Sequence, residues 1–112
     1  MSPTPLLDIA TEMVTRFNQR DERMLDLLTD DIREANYQGT VMRDGKAQMQ
    51  SSLRLTWSNT PHIHLEIVHG WQLGKHVVLY ERVLVSPTHT PLDVVSIFSF
   101  EGERIRSIDF VR

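Results

Sequence analysis

The chain has 112 residues, 40% of them apolar and 24% charged, a balance typical of globular domains and unlike that of disordered tracts. With no cysteine it can form neither disulfides nor thiolate metal sites, and a cytoplasmic home is the default expectation. Its formal charge is −3 and its basic residues are scattered singly among acids, so it lacks the basic face of a nucleic-acid binder. No apolar run approaches the ~18 residues of a membrane span. Met1-Ser2-Pro3-Thr4-Pro5 carries no basic region before an apolar stretch, so no leader is expected. DNA, RNA and lipid are therefore not expected partners.

Thr4-Pro5 reads as a helix cap followed by proline at the first helical position. Leu6, Ile9, Ala10, Met13, Val14 and Phe17 then trace the stripe of an amphipathic helix. Asn18-Gln19-Arg20 breaks it, and Asp21 can cap a second, shorter helix holding Met24, Leu25, Leu27 and Leu28. Ile32 to Tyr37 reads as a short strand ended by Gly39. Asp44-Gly45-Lys46 opens a third helix with Met49, Leu53 and Trp57 on one face, stopped by Thr60-Pro61. Beyond Pro61 the period becomes 2, with Ile63, Leu65 and Ile67 alternating against His62, His64 and Glu66. Strands over 76–86, 92–100 and 104–111 follow, separated by Leu73-Gly74-Lys75, the 87–91 loop and Glu101-Gly102-Glu103. Helices first and strands afterwards predict an α+β fold, a single domain over 1–112 with its helices segregated to one layer.

That order resembles the nuclear transport factor two-like superfamily, which includes SnoaL-like cyclases, ketosteroid isomerase and scytalone dehydratase. The likeness rests on Leu28-Thr29-Asp30-Asp31-Ile32 leading into a strand, Asp44-Gly45-Lys46 starting the third helix, and Leu92 to Phe100 with Arg104-Ile105 as a closing hairpin. It implies a cystatin-like fold: a cone-shaped, curved antiparallel sheet packed against three N-terminal helices, with a pocket between them. Enzymes, binding modules and scaffolds all use such a fold, so it leaves the function open. At the positions matching the isomerase this chain has Asn36 for the base, Ser96 for the acidic donor and Phe17 for the donor tyrosine. An amide takes no proton at neutral pH and a phenyl ring donates nothing, so the isomerase mechanism is not expected.

The family register turns Leu79, Glu81, Val83 and Val85 inward, together with Val94, Ser96 and Phe98, and with Arg106, Ile108 and Phe110. Glu81 is then a carboxyl in an apolar pocket, suited to proton transfer, or alternatively a structural tie to Arg106 or Asn36. The opposite register would place Tyr80 and Arg82 inside instead. Phe17, Asn36, Trp57, Glu81, Ser96, Phe98, Arg106 and Phe110 form the expected ligand-binding set. His62, His64 and Glu66 share one strand face with metal-type side chains. They span roughly 13 Å, however, and stand opposite the apolar face, so no metal site is expected. No cofactor motif is present: the glycines are isolated and no serine has a nucleophile setting. Val78, Tyr80, Arg82 and Leu84, with Val95, Ile97 and Val111 nearby, make a largely apolar outer face, which in the superfamily commonly meets a second copy, so a homodimer is expected. Two functions stand: a pocket or dimerisation module for a small apolar or cyclic molecule, and an acid–base enzyme of the isomerase, cyclase or dehydratase kind using Glu81.

Overall fold

The computed structural model describes residues 4–112; the leader reading at Met1-Ser2-Pro3 lies outside them. Helix α1 spans Leu6–Asn18 and buries Ile9, Ala10, Met13 and Val14. Pro5, not Thr4, takes the cap position: its backbone is extended, and its carbonyl accepts from the N–H of Asp8 at 3.0 Å. A cap residue needs no N–H of its own, so proline serves there without loss. The short second helix, Glu22–Leu27, is a 3₁₀ segment capped by Asp21, whose side chain accepts from Arg23 N at 2.9 Å. It puts Met24 into the core at 1% exposure.

Six strands follow the order β2-β1-β6-β5-β4-β3, with β1 Leu28–Asn36, β2 Val41–Asp44, β3 His64–Leu73, β4 His76–Leu84, β5 Leu92–Glu101 and β6 Arg104–Val111. Helix α2, Lys46–Asn59, lies between β2 and β3 in the chain. The first two strands differ from the sequence reading. Strand β1 starts at Leu28, because Leu28 pairs with Ile105 although the following Thr29-Asp30-Asp31 shows no alternation. Strand β2 was not expected, since four residues are too few to show a period. β1 and β6 run parallel while every other pair is antiparallel, so the sheet is mixed. A parallel pair cannot be closed by a tight turn. Here everything from β2 to β5 forms the connection.

Both helices cover one face of the sheet, α1 over β3 and β4 and α2 over β1 and β2. The core between them is continuous, from Ala10, Val14 and Met24 to Val77, Leu79, Ile105 and Ile108. At Gly70 on β3 there is no room for a side chain beneath α1: a Cβ there would stand 2.9 Å from both Leu7 Cδ1 and Leu79 Cδ2. Asn18 clamps the far end of α1 to β3, donating to Leu65 O at 2.9 Å and accepting from Leu65 N at 2.8 Å.

The strands carry irregularities that bend them. In β3 the pairs Ile67↔Glu81 and His69↔Tyr80 leave Val68 as an extra residue. In β6 the pairs Ser99↔Ser107 and Phe100↔Ile105 leave Arg106 as one. The second bulge corrects the sequence reading of Arg106. It shifts the alternation by one, so Ile105 and Ile108 both point into the core and Arg106 is turned out. Arg106 instead meets Asp31 at 3.8 Å and Glu101 at 3.6 Å on the surface. No described helix is long and apolar enough to cross a membrane.

Candidate functional site

The helices and the concave sheet face do not close completely on one another. A cavity of about 250 Å³ remains, walled by Met13, Val14 and Phe17 of α1, Met49 and Leu53 of α2, and Phe98, Ile108 and Phe110 of the sheet. Strand geometry decides which polar groups reach it. β4 and β5 pair without interruption, with Leu79 opposite Ser96 and Glu81 opposite Val94, so their inward rows stay in step. Glu81 and Ser96 therefore stand side by side in the wall, 4% and 2% exposed, and Ser96 Oγ donates to Glu81 Oε1 at 2.5 Å. Tyr80 and Arg82 face outward, where both reach Asp93, Tyr80 Oη at 2.9 Å and Arg82 at 3.6 Å. Burial pushes the Glu81 carboxyl up from the ordinary carboxylate range; the Ser96 hydroxyl, bonding the charged form, pulls the other way.

A second carboxyl reaches the same cavity. Glu34 of β1 is 6% exposed and bonds the guanidinium of Arg43, which lies opposite it on β2. Burial also pushes its carboxyl up, and the charge of Arg43 opposes that push. Arg43 and Arg112 both line the cavity. Arg112 lies just beyond β6, its guanidinium 6.0 Å from the centre of the Phe110 ring. A second recess, bordered by Leu92 and Asp93, adjoins the cavity, sharing Val83, Val94, Phe110 and Arg112 with it.

Residues 10–108 match the model of the SnoaL-like domain. The chain belongs to the SnoaL-like family. Its fold is shared with an uncharacterised cystatin-fold protein from Novosphingobium aromaticivorans, which is 34% identical with a TM-score of 0.90 over 98% of this chain and 100% of that one. It is also shared with a protein of the nuclear transport factor two-like group and of unknown function from Cytophaga hutchinsonii, at 12% identity and a TM-score of 0.80 over 98% and 91% of the two chains. A candidate polyketide cyclase from Sinorhizobium meliloti superposes with a TM-score of 0.80 at 13% identity, over 96% and 95% of the two chains. No functionally curated protein matches the chain.

Within this SnoaL-like fold, Phe17, Glu81, Ser96, Phe98 and Phe110 come together around the cavity. Asn36, Trp57 and Arg106 do not line it. Asn36 ends β1 and is taken up by the turn into β2: its carbonyl accepts from Gly39 N at 2.8 Å and its N–H donates to Thr40 O at 3.0 Å. The inward polar position of that strand is two residues earlier, at Glu34. Trp57 supports the wall from behind, its ring 5.8 Å from that of Phe17, while Ser52 and Thr56 are the polar residues α2 offers to the cavity. Arg106 is displaced by its bulge. The apolar row Ile63, Leu65 and Ile67 is half-buried, and His62, His64 and Glu66 are exposed on the other side. No group of three or more metal-type side chains gathers among the described residues. Glu34, Arg43 and Arg112 were missed. Counting alternate residues from Ile32 would have turned Glu34 inward, but the polar run before it hides the strand's phase.

Proposed function

We propose that the cavity binds a small, mainly apolar molecule and that the Glu81–Ser96 pair addresses its polar atom. The observation that carries this reading is a buried carboxyl whose one hydrogen-bond partner is a neutral hydroxyl, set in an apolar wall. A carboxyl so placed is held toward its neutral acid form, in which it can donate a hydrogen bond or a proton. Size supports the same class of ligand. A cavity of roughly 150 Å³ accommodates benzene, so about 250 Å³ has room for one ring with a short arm. The family supports a pocket as the working part of the fold, and the cyclase neighbour supports the fold alone.

The contrast between the two carboxyls favours acid–base turnover as the second reading. Isomerisation, cyclisation and dehydration each need a proton given at one atom and taken at another. Glu81, without a counter-charge, is the donor. Glu34, whose carboxylate form the charge of Arg43 favours against the push of burial, is the acceptor. The chain also works as a homodimer in this reading. The sheet face without helices carries Trp71, Val78 and Ile97 in register across three strands, with Val111 beyond, and pairing two copies there covers them.

Two measurements test the proposal. Small cyclic probes such as 4-methylphenol and 2-indanone should raise Tm in a concentration-dependent way and perturb amide NMR signals at Phe17, Ser96 and Phe98. Perturbations confined to other parts of the surface would overturn the pocket reading. Light scattering at micromolar concentration should give about twice the 13.0 kDa chain mass, and a particle of the single mass would remove the dimer.

A further inference from the structure

The charged side chains around the cavity are not all paired. Glu34 and Arg43 neutralise each other as a bonded pair. Glu81 is bonded to a neutral serine and has no cation against it. Arg112 is left over. Among the described residues its guanidinium meets no carboxylate; it lies by the Phe110 ring and by Met42 Sδ, the latter at 3.8 Å from Nη2. Asp93, the one acid of the adjoining recess, is already engaged by Tyr80 and Arg82 on the outer face. The contact with Met42 also brings the end of β6 beside β2, so Arg112 and Arg43 stand at the same end of the cavity.

We infer that the molecule taken into this cavity is an amphipathic monoanion, a small ring bearing a carboxylate. Its apolar body lies among Phe17, Leu53 and Phe98, its polar far end meets Glu81 and Ser96, and its carboxylate rests against Arg112 and Arg43. This rests on the pocket reading above and adds the ligand's charge to it. A guanidinium that already lies over an aromatic ring at a cavity wall is well suited to a carboxylate. It is weakly hydrated, and its planar fork matches the two oxygens. A second guanidinium, even one shared with Glu34, adds attraction without requiring a further anion. A neutral ligand would leave Arg112 without an anionic partner, which a carboxylate supplies.

Three ring-matched probes separate charge from shape: 4-hydroxyphenylacetate, 4-hydroxyphenylacetamide and 4-methylphenol, titrated calorimetrically into the native chain. The carboxylate should bind at least tenfold tighter than the amide, and its advantage should shrink as NaCl is raised. In Arg112→Gln the preference of carboxylate over amide should collapse to less than threefold. Equal affinity for carboxylate and amide, or a preference that survives Arg112→Gln, overturns the inference and leaves the pocket reading standing. If none of the three binds, both fall together.

Discussion

Glu81 and Glu34 occupy opposite halves of one cavity, 4% and 6% exposed, and differ in what each is bonded to. Glu81 leans on a hydroxyl from the neighbouring strand of a regular hairpin. Glu34 leans on a guanidinium from a four-residue edge strand. Burial presses both carboxyls toward their neutral form, and only at Glu34 does a full positive charge oppose it. Burial alone therefore does not assign roles to two acids in the same wall. The partner does, and the partner is chosen by strand pairing.

The sharpest way to break this contrast is to take away the charge. Arg43→Met strands Glu34 in the wall and should cost about 3 kcal/mol in urea unfolding at pH 7, at the low end for broken buried pairs because Arg43 is partly exposed. The penalty should shrink on acidification. Without its counter-charge Glu34 has a folded-state pKa well above its unfolded one, so stability falls as pH rises between the two and returns as the carboxyl is protonated. An equal loss at pH 5 and pH 7 would mean that Glu34 carries no charge in the native chain.

A middling effect belongs to Ser96→Ala. It removes a buried hydrogen bond worth about 1 kcal/mol. It also removes the one group that favours the Glu81 carboxylate, so the titration of the Glu81 carboxyl, followed by ¹³C NMR, should move further up. A downward or absent movement would show that the serine does not govern this acid.

Glu81→Gln should perturb stability least. The amide keeps the shape of the neutral acid, so stability at pH 7 should equal or exceed that of the native chain. In the native chain the raised folded-state pKa of Glu81 means that the folded protein holds a proton the unfolded chain has released. Its contribution therefore declines as pH rises from the unfolded pKa through the folded one. That decline should be absent from the variant's pH profile. A loss of several kcal/mol would place an ionic tie where the structure shows a hydroxyl.

Most of the fold was legible because it depends on patterns that outlast single exceptions. The α1 stripe, the change of period after Pro61 and the glycine turns at Gly74 and Gly102, both with positive φ, recur over many residues. The site was legible only where alternation runs unbroken, which is why Glu81, Ser96 and Phe98 stand together on the β4–β5 hairpin. Elsewhere a local event resets the phase. An extra residue at Arg106 does so in β6. A turn claims Asn36 at the end of β1, and the strand that supplies Arg43 is too short to announce itself. Glu34 pairs with Arg43 on one side and Ile108 on the other, contacts made across the sheet that no local window contains.

The irregularity in β6 divides that strand into two phases. Residues ahead of Arg106 and residues behind it obey opposite parities, so a gapless alignment with a chain lacking the extra residue will be right for one half and inverted for the other. Deleting Arg106 would set Ile105, Ser107 and Ile108 consecutively against Phe100, Ser99 and Phe98, a regular ladder in which Ile105 and Phe110 both keep their inward places. What the deletion removes is the bend of the strand and the surface contacts of Arg106 with Asp31 and Glu101.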